Sequence, residues 1–73
     1  MKIELFETVE ITQDIQTESM PSVFVKKGTL GNVVDILITE DGKTFYLVEL
    51  DNDLYPEGVV EYFDISQIKK YSK

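Results

Sequence analysis

The chain has 73 residues, with 14 acidic side chains against seven lysines, a formal charge of −7 and a pI near 4.3. It contains no Cys, His, Trp, Arg or Ala. Without Cys or His, zinc knuckles, disulfide frameworks, thiol nucleophiles, imidazole bases and haem ligation are excluded, and a chain this short is expected to form one domain, 1–73, with a small core.

Val, Ile, Phe, Tyr and Thr account for 29 of the 73 residues. These types suit a pleated, half-buried surface, and the absence of Ala weakens the case for helix. Residues 5–13 predict a strand, with Val9 and Ile11 on one face and Thr8, Glu10 and Thr12 on the other. Residues 14–25 predict a polar connection with an apolar end, in which Pro21 biases Met20 toward extended geometry. A loop of that length is often functional.

Residues 26–31 predict a turn feeding a strand, with Gly28 at positive φ and Gly31 at a bulge or a close backbone approach. Residues 32–39 predict a strand with Val34, Ile36 and Ile38 on one face and Val33, Asp35 and Leu37 on the other. The Asp41-Gly42 pair predicts a tight hairpin turn with Gly42 at positive φ. Residues 44–50 follow as a strand, with Tyr46, Val48 and Leu50 facing one way and Phe45, Leu47 and Glu49 the other.

Pro56 and Gly58 predict a type I turn. Residues 59–64 predict a further strand, 64–67 a single 3₁₀ turn capped by Asp64, and 68–71 a short last strand. The sum is an all-β fold, a small SH3-like barrel of about five antiparallel strands that closes on itself and so loses its edges. No apolar run approaches the length of a membrane helix, and no export signal is visible, which predicts a cytoplasmic protein. The Lys-only, Ile- and Asn-rich usage points to an AT-rich bacterial or phage genome.

Lys27-Gly28-Thr29-Leu30-Gly31-Asn32-Val33-Val34 resembles the turn and strand of KOW-type and other SH3-like barrels. It also looks like the barrels of the nitrile hydratase β subunit and of photosystem I subunit IV. The wider layout is similar to a family of small stand-alone bacterial SH3-like proteins. That family opens on Val-x-Leu-x-x-Asp-Ile, which Val9, Ile11, Asp14 and Ile15 match, and continues through Lys-x-Gly-x-x-Gly-x-Val at residues 26–33. Its Tyr-x-Val-Glu-Phe corresponds to residues 46–50, with Leu50 in place of the aromatic, and its closing 3₁₀ turn to residues 65–68. The resemblance implies a barrel and, by analogy with proteins encoded beside toxin genes, a binding role.

The residues that could carry chemistry point the same way. Ser19, Ser22, Ser66 and Ser72 have no His partner to activate them, and Glu49, Asp51, Asp53 and Glu61 sit on a domain too small for a substrate cleft between paired carboxylates. Asp51-Asn52-Asp53 starts like a calcium loop, but Pro56 stands at the sixth position and Tyr62 at the twelfth, where the loop needs Gly and Glu. No catalytic residue, metal site or cofactor is therefore expected.

Lys26 and Lys27 beside Gly28 offer a KOW-like nucleic-acid contact, which the −7 balance opposes. The same balance favours a basic protein partner. Met20, Phe24, Tyr55 and Tyr62 are the candidate apolar centre, with Asp51, Asp53 and Glu57 as charged rim. The expected function is a non-enzymatic protein-binding module that neutralises a basic enzyme, of the immunity, antitoxin or phage-inhibitor kind. It would act as a monomer or weak homo-oligomer, with no membrane association. The alternatives are a nucleic-acid or ribosome accessory module and an accessory subunit of a larger enzyme complex.

Overall fold

The computed structural model describes residues 3–51, 53, 55 and 58–72. Seven strands and one 3₁₀ turn follow in order: β1 (Thr8–Ile11), β2 (Ile15–Gln16), β3 (Phe24–Val25), β4 (Leu30–Ile38), β5 (Thr44–Leu50), β6 (Val60–Asp64), η1 (Ile65–Gln67) and β7 (Ile68–Lys70). Five of them form one antiparallel sheet in the order β6-β5-β4-β1-β7, and β2 pairs with β3. This is the all-β arrangement expected for an SH3-like barrel, down to the 3₁₀ turn before the last strand.

The barrel is open, however. β6 and β7 are the two ends of the strand order, so two edges remain where closure was expected. η1 carries the chain from β6 directly to β7, at the other end of the strand order. There β7 takes its hydrogen bonds from β1, in the register Val9↔Lys70 and Ile11↔Ile68.

The core is built from alternate residues of the strands. Val9 and Ile11 of β1, Val33 of β4, Tyr46, Val48 and Leu50 of β5, Phe63 of β6 and Ile68 of β7 are all buried, together with Ile3 and Val25. The β5 alternation matches expectation. The β4 alternation does not, because a bulge lies between Val33 and Asp35: Val33 pairs with Val48, Asp35 with Leu47, and Val34 is the extra residue. A bulge resets which face each residue takes. Val33 therefore points into the core and Val34 outward, while Ile36 beyond the bulge packs against the core and Ile38 is exposed.

Residues 14–25 also differ from expectation. They are a short hairpin, with Ile15↔Val25 and Gln16↔Phe24, and the Met20–Pro21 peptide is cis. Polar side chains close its turn: Gln16 Nε2 donates to Ser22 Oγ at 2.6 Å, Ser22 Oγ donates to the Thr17 carbonyl at 2.6 Å, and the Thr17 amide donates to the Val23 carbonyl at 2.9 Å. The first strand is shorter than predicted because residues 4–7 form a turn. The Glu7 amide donates to the Glu4 carbonyl and the Glu4 amide to Glu7 Oε1, which leaves Phe6 at φ 68° and 77% exposed.

The β4–β5 turn is the tight hairpin expected. The Gly42 amide donates to the Thr39 carbonyl at 3.0 Å, and Gly42 has φ 86°. A type I turn followed by a left-handed residue is a common way to close a three-residue hairpin loop. In the β5–β6 connection, the Gly58 amide donates to the Tyr55 carbonyl, and Gly58 has φ 75°. The type I assignment itself rests on Pro56 and Glu57, which lie outside the described residues. No helix among the described residues is long and apolar enough to cross a membrane.

Gly28 and Gly31 serve different purposes. Gly28 has φ 92° and open space around it, whereas a Cβ on Gly31 would lie 2.5 Å from Val48 Cγ1 and 2.7 Å from the Glu49 carbonyl oxygen. Gly31→Ala should therefore lower stability by about 2–3 kcal/mol through overpacking against backbone that cannot retreat, and Gly28→Ala by only about 1–2 kcal/mol of left-handed strain. Urea unfolding of the two variants checks the ranking.

Candidate functional site

A groove of about 570 Å³ lies between the β2–β3 hairpin and β6. One wall is Ile15 to Ser19. The other is Glu61 to Asp64, with Phe45 and Gln67 at the end nearest η1. Strand register explains the aromatic content. Leu37, Phe45 and Asp64 form one row across the outer face of β4, β5 and β6, and Asp35, Leu47 and Tyr62 form the next. The inner face is already filled by the core, so these outer residues have only each other and solvent. Tyr62 is 51% exposed and Leu37 is also exposed, while Phe45 and Leu47 are half-buried.

A chain of hydroxyls latches the hairpin to β6. The Val23 amide donates to Thr17 Oγ1 at 2.8 Å, the Thr17 and Ser19 hydroxyls lie 2.8 Å apart, and Ser19 Oγ donates to Glu61 Oε2 at 2.8 Å. With Thr17 as donor to Ser19, each hydroxyl donates once and accepts once, so the whole chain is satisfied. It sets the width of one end of the groove.

The other end is set by the η1 cap. The Asp64 carboxylate accepts from the Ser66 hydroxyl and amide, both at 2.6 Å, and Gln67 Oε1 accepts from the Asp64 amide at 2.9 Å, a reciprocal capping box. The Ser66 hydroxyl, then the Ser66 amide, hold the Asp64 carboxyl below the usual carboxylate range, with Lys43 adding a smaller attraction. Asp41 in the neighbouring hairpin is also held low, by the Thr39 hydroxyl first and the Lys43 amide second.

Among the described residues, the three charged ones that line the groove are acidic: Glu18, Glu61 and Asp64. Of the described residues among the sequence-predicted contacts, Tyr62 alone lines it. Met20 stands at the hairpin tip, 95% exposed. Phe24 and Tyr55 meet elsewhere, the Tyr55 hydroxyl donating to the Phe24 carbonyl at 3.0 Å, and Tyr55 packs against the core. Asp51 and Asp53 form a local turn in the β5–β6 connection, the Asp53 amide donating to Asp51 Oδ1 at 3.0 Å. Glu57 lies outside the described residues. The predicted cluster is thus dispersed over the groove, the hairpin tip, β3 and the β5–β6 connection.

Lys26 and Lys27 are exposed at the Gly28 turn, where the Lys27 amide donates to Asp14 Oδ1 at 2.8 Å, so an acid stands beside the basic pair. Among the described residues, no three Asp or Glu side chains gather as metal ligands would. The groove residues that sequence reasoning missed include Ile15, Glu18, Phe45 and Asp64. Phe45 carried a usable signal, since Phe45 and Leu47 are apolar on the face opposite Tyr46, Val48 and Leu50. The hairpin residues carried none, because their place beside β6 depends on a contact 42 positions away in the chain.

No protein-family model matches the chain, and neither the curated proteins nor the solved structures yield a match.

Two predictions follow from the latch and the cap. Ser19→Ala should cost about 1–2 kcal/mol, the scale of a hydrogen bond to a charged group, and should speed amide exchange across residues 16–23 while β5 stays protected. Asp64→Ala should lower the urea midpoint at pH 7. Because the folded Asp64 carboxyl titrates below its unfolded value of 3.8, its contribution is complete above that pH and fades as pH falls through the folded value. The gap between wild type and variant should therefore close on acidification below pH 3.8, read by urea titrations across that range.

Proposed function

We propose that the chain is a non-enzymatic protein-binding module whose groove holds a basic segment of a partner protein. The observation that carries this is the groove lining, in which every charged side chain among the described residues is a carboxylate, set beside Ile15, Phe45 and Tyr62. Apolar and aromatic side chains supply contact area at the centre of an interface, and charges around them select the partner and speed its arrival. The overall −7 extends the same field over the whole molecule. In its sharpest form the module works in the cytoplasm as a monomer and neutralises a basic enzyme by covering the surface that its anionic substrate would use.

A photo-crosslinking phenylalanine analogue placed at Tyr62 tests this in cells. The expected product is a stoichiometric adduct with one protein of net positive charge. Glu18→Lys should reduce it about tenfold or more, the loss of one charge pair at an interface, and added salt should weaken it further. Absence of any protein adduct, or an adduct with an acidic protein that is indifferent to Glu18→Lys, overturns the proposal.

A further inference from the structure

We infer that the basic segment binds as an added antiparallel β-strand along the free edge of β6. This rests on the groove reading above and specifies its geometry. β6 is an end strand of the sheet, and its backbone phase can be read from the ladder. The Leu50 amide donates to the Val59 carbonyl at 2.9 Å. Antiparallel pairs alternate between bonded and non-bonded, so Val48/Glu61 and Tyr46/Phe63 are the next bonded pairs in the same register. Val60, Tyr62 and Asp64 therefore turn their N–H and C=O groups away from β5.

The Asp64 amide bears this out, because it reaches Gln67 Oε1 at 2.9 Å instead of β5. Among the described residues, Val60 and Tyr62 have no such cover, and no backbone bond reaches them from the hairpin. Tyr62 is also one of the residues that line the groove.

Exposed edges are usually blunted by charged side chains, lysine above all, by proline or by a covering loop. The other end strand follows that rule with Lys69 and Lys70, exposed on β7. β6 carries neither lysine nor proline, and its two charges, Glu61 and Asp64, are ones that a basic segment would neutralise.

The occupant is argued from charge. A second copy pairing through β6 would bring the Glu61 and Asp64 carboxylates of both chains onto one seam, and like charges across a strand pair are destabilising. A basic segment meets the same carboxylates favourably. Alternation then dictates its pattern. A residue opposite Tyr62 shares that residue's face and meets Tyr62 and Phe45, so it should be apolar. Its neighbours point to the Glu61 side and should be Lys or Arg.

The probe is the capped hexapeptide Lys-Val-Lys-Val-Lys-Val, with one analogue N-methylated at every Val and another at every Lys. In low salt, nitrogen-15 spectra of the intact chain should show the parent peptide slowing amide exchange at Tyr62 at least tenfold. In the antiparallel register the Val amides face β6, so methylating them should weaken binding at least tenfold, whereas methylating the Lys amides, which face away, should leave it within about threefold. Binding that leaves the Tyr62 amide unprotected and treats the two analogues alike overturns strand addition and keeps the groove as the site. No binding by any of the three at millimolar concentration overturns the basic-segment reading as well.

Discussion

Gly31 has no room for a side chain, and the rest of the fold depends on that gap. It lies where β4 is paired on both sides at once, to Val9 of β1 and to Leu50 of β5. The Val48 methyl and the Glu49 carbonyl occupy the space that a Cβ would take. β5 can therefore approach β4 closely at this point, and the buried residues of β1, β5 and β6 meet over one core. The Val34 bulge works with the glycine: it turns Val33 inward and lets Ile36 pack against the same core beyond it. A nine-residue strand that is kinked and re-phased in this way serves both halves of the sheet.

Bending the sheet brings its ends near each other without joining them. η1 spans from β6 to β7 in three residues, and the capping box between Asp64 and Gln67 satisfies the backbone where the chain turns. That cap consumes the Asp64 amide, the last outward donor of β6. The hairpin of β2 and β3 then comes to rest beside the same strand through Ser19 and Glu61. An open edge, a latched hairpin and a row of outer aromatic and aliphatic side chains thus converge at one place. The groove is a consequence of incomplete closure: a barrel sealed along β6 would have no unpaired backbone to offer there.

Much of this was legible in the chain. The β5 alternation, the Asp41-Gly42 turn, the Asp64 cap and the roles of Gly28 and Gly31 all follow from local chemistry that a sequence displays directly. The misread parts share a cause. Val34, Ile36 and Ile38 have the spacing of one strand face, and a single extra residue in the ladder broke that spacing without any compositional mark. The segment around Pro21 reads as a polar loop because its strands are two residues each, too short for a period to register. Leu5 and Phe6 continue an apolar pattern, yet the chain turns there, with Phe6 at a positive φ that bulky residues seldom adopt.

The contact residues divide along the same line. Composition alone determined that this chain holds no thiol or imidazole and carries a net charge of −7, because those are properties of residue type. Which acids stand together was decided by tertiary structure. Glu18 and Glu61 are 43 positions apart and line one groove, whereas Asp51, Asp53 and Tyr55 lie close to Glu61 and Tyr62 in sequence and are carried to the other end of β5. Charge is additive along a chain and can be counted. A groove depends on which strand edge remains unpaired, and that is set only when the sheet has bent and stopped short of closing.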